Sequence, residues 1–397
     1  MNKKIKNKNL IVLLGNGFDL AHGLETSYNN FANYYLKNVI IKNLLEEGGK
    51  DILGYNYYSK YYNKSMYTSV PNPKNLEDKL ETLFYLIKNK EEEEIKDYIT
   101  KYPESLIILK NTFLSKLFLD SYDNWFDIEQ AYYEELITIF KSLTSIKSNI
   151  KEAVNEKIKT LNTELKSIKI ELKKYLKNEV KPSWNKNVSY CLEQHFKERT
   201  NVVVINFNYT DTIQQYLNTD LNVDNIKNHH IHNNLNSDII FGYGDDTDEV
   251  YRGLKNTKNN EFLRCFKTFD YLKSKNYRLV LNELITYKEG YDVLIIGHSL
   301  GMTDKTILKT ILDNDSCQNI ELLKRSDLNS LEEKQEHLFE LYANLARIFD
   351  SEASLREKVI PFEWTVNFPL MYDTDESTIY SREKGLYEKP NSLKFIK

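Results

Sequence analysis

Hydrophobic residues follow two different rhythms along this chain. Short apolar runs of strand type, closed by turn residues, occur near the start and after residue 200, while much of the stretch between them repeats its apolar positions at steps of three and four. Ile11-Val12-Leu13-Leu14 is the first run; Gly15 closes it, and Phe18-Asp19-Leu20-Ala21 opens a helical pattern. Val202-Val203-Val204-Ile205 and Val293-Leu294-Ile295-Ile296 are fully apolar and suit strands buried on both faces of a parallel sheet. Shorter strands are expected at His229 to His232, Ile239-Ile240-Phe241, Ile320 to Leu323 and Val359-Ile360. Helices are expected over Asp211 to Leu217, Phe262 to Tyr287, Lys305 to Leu312 and Glu332 to Phe349.

From about Asn38 to Asn185 the pattern is helical, with no convincing strand. Leu76, Leu80, Leu83 and Phe84 share one amphipathic face, and Trp125, Ile128, Tyr132, Leu136 and Ile139 share another. Ile150, Val154, Ile158, Leu161, Leu165, Ile168, Leu172 and Tyr175 then mark the seam of a long coiled-coil-like helix over 147–178, closed by Pro182 and Trp184. The expected organisation is a discontinuous α/β core, residues 1–45 plus 195–397, interrupted by an all-helical insertion over 46–194. The seam is expected either to pack against its own neighbours or to serve as a dimer-forming arm.

Bulk composition narrows the function classes. With 54 basic and 58 acidic residues in 397, the formal net charge is −4, which gives no overall field for nucleic acid or an anionic membrane. No run is long enough to span a bilayer, and the apolar run after the basic start is too short for a signal peptide, so a cytoplasmic protein is expected. The three cysteines, Cys191, Cys265 and Cys317, are too dispersed for a disulfide framework or a zinc knuckle.

Four segments concentrate the candidate chemistry: Gly15-Asn16-Gly17-Phe18-Asp19, Asn206-Phe207-Asn208-Tyr209-Thr210-Asp211, His230-Ile231-His232 and Gly297-His298-Ser299-Leu300-Gly301. Three follow strand-type runs and the third lies within one, so in a parallel sheet their loops meet at one crevice beyond the carboxyl ends. A glycine turn before a helix can bring backbone N–H groups to a phosphate, or can be a tight turn and nothing more. Asp19 would repel phosphate and suits a ribose hydroxyl better. Asn208 either orients a ligand or caps the helix after it, and His232 is either a base or a satisfied half-buried histidine.

These segments resemble sirtuin-type NAD-binding domains, which carry a G-A-G turn, a T-T-N-Y-D-type motif, a histidine after a strand, and a late Gly-x-Ser followed by an aspartate, here Gly297-His298-Ser299 and Asp304. A narrower resemblance is to the AbiH family of bacterial abortive-infection, antiphage proteins. It is carried by Gly15 to Leu24 with Thr26 and Tyr28, Asn206 to Thr212, His230-Ile231-His232, Gly297 to Gly301 with Asp304-Lys305, and Trp125-x-Asp127-Ile128-Glu129. The resemblance implies a sirtuin-like, Rossmann-type core, NAD as substrate or ligand, and cleavage of the nicotinamide–ribose bond. Asn208 and His232 would be catalytic. Gly15, Asn16, Gly17, Phe18, Asp19, Tyr209, Asp211, Gly297, Ser299 and Asp304 would line the nucleotide site. Asn16, Asn206-Phe207 and Asn233 depart from the sirtuin pattern, and no C-x-x-C supplies its zinc site, so peptide deacylation is not implied.

For NAD cleavage, an amide that both donates and accepts can orient water and ribose, and an imidazole can take up the proton. Nicotinamide leaves from a cationic ring, so no metal is expected. A non-catalytic nucleotide sensor is the alternative. A second is a serine esterase, because Gly297-His298-Ser299-Leu300-Gly301 is also a G-x-S-x-G elbow, with His337 as the only later histidine. His22, His229, His230 and His298 have no defensible metal-ligand spacing. The expected partners are a small-molecule nucleotide and, through the helical insertion, a second copy or a defence-system protein.

Overall fold

The structure, a computed structural model, describes residues 7–47, 73–120, 125–144, 151–217, 223, 225–245, 249–325, 327–328 and 330–369. In chain order its elements are β1 (Asn9–Leu14), α1 (Asn16–Ala21), α2 (Tyr28–Tyr35), a π-helical segment Leu36–Ile41, α3 (Lys42–Glu47), α4 (Pro73–Asn89), α5 (Glu92–Lys101), α6 (Thr112–Asp120), α7 (Trp125–Thr144), α8 (Lys151–Asn178), α9 (Lys186–Phe196), β2 (Asn201–Asn206), α10 (Gln214–Leu217), β3 (Asn225–His230), α11 (Glu249–Asn256), α12 (Lys267–Tyr271), α13 (Asn276–Thr286), β4 (Tyr291–Ile296), α14 (Lys305–Leu312), β5 (Cys317–Leu322), β6 (Lys324–Arg325), α15 (Leu331–Ile348), α16 (Glu352–Lys358) and β7 (Asn367–Phe368). Two compact units divide the chain: residues 1–26 with 176–397, and residues 27–175. Residues 27–45 thus group with the helices, and 176–194 with the sheet.

The sheet unit is an α/β fold. Five parallel strands stand in the order β3-β2-β1-β4-β5, with β1 central and the order reversing between β1 and β4. This is the arrangement of doubly wound nucleotide-binding sheets, in which the crevice opens beyond the carboxyl ends at that reversal. Alternation along each strand builds two cores. Ile11, Leu13, Val203, Ile205, Val293 and Ile295 pack with Val280 and Leu284 of α13, Ile307 and Ile311 of α14, and Leu338 and Leu345 of α15. Leu10, Val12, Leu14, Val202, Val204, Leu294 and Ile296 pack on the other face with Phe18 of α1 and Val188, Cys191, Leu192 and Phe196 of α9. Burial on both faces is why these runs show no polar alternation.

The amino edge of the sheet is zipped by side chains. Asn9, Asn201 and Asn225 occupy matched positions on β1, β2 and β3. The amide of Asn225 donates to Asn201 Oδ1 at 3.2 Å, that of Asn201 to Asn9 Oδ1 at 2.8 Å, and that of Asn9 to the Gly290 carbonyl at 3.0 Å. Arg199 closes the row on Asp292 at 2.6 Å.

Some expected elements are shorter or absent. Ile239-Ile240-Phe241 is not a strand: the Ile240 amide bonds to the His232 carbonyl, and its carbonyl accepts from the Tyr209 hydroxyl. Strand β3 ends at His230 because the chain turns at Asn233, which adopts a φ of 61°. The helix after Asn208 starts only at Gln214, since Thr210 and Asp211 commit their side chains to Asp19 and His230. Phe262 to Tyr287 is three short helical pieces, and Val359 makes one bridge to Ile320.

In the helical unit the seam of α8 holds: Val154, Ile158, Leu161, Leu165, Ile168, Leu172 and Tyr175 are all buried. Tyr132 of α7 donates to Asn162 Oδ1 at 2.6 Å, and the Glu164 carboxylate accepts from the Thr112 amide at 2.7 Å, capping α6. Residues 147–150 and the side chains of Leu76, Phe84 and Trp125 lie outside the described residues.

Candidate functional site

The glycine turn after β1 is closed by the turn after β4. The Gly15 amide donates to the Ile296 carbonyl at 3.0 Å, the Gly17 amide to the Gly297 carbonyl at 2.8 Å, and the Phe18 amide to the Gly15 carbonyl at 3.0 Å. A Cβ on Gly17 would lie 2.6 Å from the Gly297 Cα, and one on Gly15 would lie 2.5 Å from the His298 Cα. The glycines are therefore accounted for by two backbones in contact, and those three N–H groups are already engaged. Phe18 points into the core, its ring 4.6 Å from that of His22 and 5.6 Å from that of Phe368. Its place is structural.

His22 is structural too. Nδ1–H donates to the Phe18 carbonyl at 2.7 Å, which leaves Nε2 to accept from the Tyr216 hydroxyl at 2.5 Å. Tyr216 in turn accepts from the Asn185 amide at 2.8 Å. Burial holds the His22 imidazole below its usual range, so this relay is neutral.

Beyond β2, the loop 207–211 lies between two sets of partners. Asn208 donates from Nδ2 to the Gly15 carbonyl at 3.0 Å, which brings it to the amino-terminal glycines, and its backbone amide donates to Asn206 Oδ1 at 2.9 Å. Thr210 donates to Asp19 Oδ2 at 2.6 Å. Asp19 is 1% exposed, and its Oδ1 has no partner. Burial pushes its carboxyl up to about 6 against the opposing hydrogen bonds of Thr210 and Thr212. His230 spans the loop, donating from Nδ1 to the Asn208 carbonyl at 2.9 Å while Nε2 lies 2.7 Å from Asp211 Oδ1.

The second half of the site centres on Asp304, just before α14. Its Oδ1 accepts from His232 Nε2 at 2.9 Å and from Lys267 Nζ at 2.8 Å, and its Oδ2 lies 4.0 Å from His298 Nε2. Burial alone would raise the Asp304 carboxyl, but Lys267 and His232 outweigh it and hold the group well below the usual carboxylate range. Lys267, 1% exposed, opens α12, and its amide is tied to the Tyr243 carbonyl. Because a carboxylate only accepts, His232 carries a proton on Nε2, and in the neutral ring the lone pair is on Nδ1. Tyr271 stacks on the His232 ring, with its hydroxyl 3.3 Å from Nε2. Phe207 lies edge-on to both His232 and His298, at ring distances of 5.4 and 4.1 Å.

Of the expected site residues, Asn208 meets Gly15, His232 meets Asp304, and the Tyr209 ring lies 6.4 Å from that of His232. Asn208 and His232 stand on neighbouring loops at one end of the sheet. Asp19 and Asp211 belong instead to the clamp that holds the 207–211 loop. Lys267, Tyr271 and His298 were not among the expected site residues. Lys267 and Tyr271 sit in Lys267-Thr268-Phe269-Asp270-Tyr271, which carries no motif. Position 298 lay inside the Gly297 to Gly301 segment and was weighed as a metal ligand, but it was given no place in the site.

The elbow geometry does not form around Ser299. Positive φ angles fall on Gly297 and Leu300, not on Ser299, which is exposed and whose carbonyl accepts from Asn344 of α15. His337 lies seven residues, about two turns, earlier on that helix, in the field of Arg325 and Asp327. Among the described residues no His, Cys, Asp or Glu cluster could hold a metal, and no helix is long and apolar enough to cross a membrane.

No curated protein and no solved structure matches the chain. The family model described as bacteriophage abortive infection AbiH matches residues 11–324, a span that contains the glycine turn, the Asn208 loop, His232 and Asp304. With most of its length and every element of this site inside that match, the chain belongs to the AbiH family of bacteriophage abortive infection proteins.

Proposed function

We propose that this AbiH protein acts in phage defence by binding NAD at the carboxyl ends of β1, β2 and β4 and cleaving its nicotinamide–ribose bond. The observation that carries the reading is the 2.9 Å hydrogen bond from His232 to an Asp304 that Lys267 keeps ionised. That contact fixes the imidazole tautomer and leaves Nδ1 as a base able to take a proton from attacking water. The Asn208 amide, anchored through Nδ2 on the Gly15 carbonyl, presents Oδ1 to water or a ribose hydroxyl. The engaged amides of Gly15, Gly17 and Phe18 put any diphosphate contact on other groups.

Incubating the purified protein with NAD, alone and with lysate from phage-infected cells, should release free nicotinamide. His232→Ala should lower the rate by about 10²- to 10⁴-fold, the range for loss of a general base. Asn208→Ala should lower it as well. No product under any of these conditions rejects cleavage, and tight NAD binding without product replaces it with a nucleotide sensor.

A further inference from the structure

Asp304 Oδ2 and His298 Nε2 stand 4.0 Å apart. The His298 side chain is 5% exposed, and Nδ1 accepts from the Leu300 amide at 2.9 Å, so the proton of the neutral ring resides on Nε2. The pinned tautomer depends on the local backbone, because Leu300 adopts a φ of 58°. Phe207 packs against the ring and limits its rotation. Burial also lowers the His298 imidazole to about 4, which keeps it neutral near pH 7 despite the nearby Asp304 carboxylate. Nε2 carries its proton 4.0 Å from Asp304 Oδ2, too far for a direct hydrogen bond. Both hydrogen bonds that Asp304 does accept go to Oδ1. Among the described residues, neither His298 Nε2 nor Asp304 Oδ2 has a hydrogen-bond partner, and neither is one of the fully enclosed partnerless atoms.

We infer that His298 Nε2 and Asp304 Oδ2 together form a subsite for one hydroxyl group of a sugar-bearing ligand. An oxygen about 2.8 Å from each atom would subtend roughly 90° between them, close to the spread of a hydroxyl's donor and acceptor directions. A hydroxyl accepts from the imidazole N–H and donates to the carboxylate. A carbonyl oxygen would satisfy the first partner and be repelled by the second, and a phosphate would meet the Asp304 charge directly. The inference rests on the nucleotide-binding reading above but not on whether the nucleotide is cleaved. It adds a specific hydroxyl-binding pair, Asp304 Oδ2 with His298 Nε2, and His298 as a binding residue.

Two substitutions separate the role from packing. Asparagine at 298 places its Oδ1 near the position of imidazole Nδ1 and keeps the acceptor for Leu300, but removes the donor. Glutamine reaches the position of Nε2 with a donor. Titration calorimetry with ADP-ribose, and with its analogues lacking the 2- or 3-hydroxyl of the terminal ribose, reads the effect directly. His298→Asn should bind ADP-ribose about tenfold more weakly with an unchanged melting temperature, and His298→Gln should recover most of that loss. One deoxy analogue should bind the wild type about tenfold more weakly than ADP-ribose, and most of that discrimination should vanish in His298→Asn. Wild-type affinity in His298→Asn, or undiminished discrimination, overturns the subsite and leaves an internal water only. Failure of the wild type to bind either ADP-ribose or NAD overturns the nucleotide reading and this inference with it.

Discussion

The Gly17 amide donates to the Gly297 carbonyl at 2.8 Å, joining the turn after β1 to the turn after β4 at the point where the sheet order reverses. Gly297 has a φ of 63°, and a Cβ there would lie 2.5 Å from the Phe18 amide nitrogen. Backbone atoms cannot yield as a flexible side chain can. Gly297→Ala is expected to cost at least about 3 kcal/mol, read as a lowered urea midpoint.

Lys267 has almost no contact with solvent, and its charge is balanced by Asp304. Lys267→Met leaves that carboxylate buried with His232 as its remaining close partner. The expected loss is about 3–5 kcal/mol in guanidinium denaturation. Lys267→Met with Asp304→Asn should be more stable than Lys267→Met alone, a result that a pure packing role for the lysine stem would not produce.

Asp19 supplies a pH signature. Its carboxyl holds a proton up to about 6 in the folded chain, against an ordinary value of 3.8. Between those values the folded state binds more protons than the unfolded state, so the contribution of Asp19 is complete below about pH 4 and is lost as pH rises through 6. The stability of Asp19→Asn relative to wild type should therefore rise across that window, by up to about 3 kcal/mol. Thermal melts at half-unit pH intervals test it; a constant difference between the two proteins would refute it.

Asn201 is the middle rung of the ladder on the amino edge, donating to Asn9 and accepting from Asn225. Asn201→Ala removes both bonds and leaves two half-buried amides short of a partner. A loss of about 1–2 kcal/mol in urea is expected. Asn201→Asp, which keeps the acceptor for Asn225 but loses the donor, should fall between the alanine variant and the wild type.

The inner strands were legible because they are buried on both faces: Val202 to Ile205 and Val293 to Ile296 have no competing period. The long seam from Val154 to Tyr175 was legible for the opposite reason, its regular three-four spacing. The glycine turn was placed correctly while its purpose stayed open between a phosphate cradle and a bare turn, because spacing does not distinguish a glycine that admits a ligand from one that admits another backbone. Lys267 was invisible in a lysine-rich chain, since nothing local marks an ammonium that a distant aspartate draws inside. Ile239 to Phe241 looked like a strand, yet its polar backbone groups are taken by His232 and Tyr209, partners that only the folded chain supplies.

Strand β1 lies between two neighbours that are synthesised long after it: Asn9 meets Asn201 across 192 positions and Gly290 across 281. On the ribosome, Leu10 to Leu14 must therefore wait, apolar and unpaired, while the helices of residues 27–175 emerge and pack by local contacts. Until β2 and β4 have both left the exit tunnel, neither half of the proposed active site can be assembled. A truncated or stalled product that ends before β4 would lack the assembled candidate site.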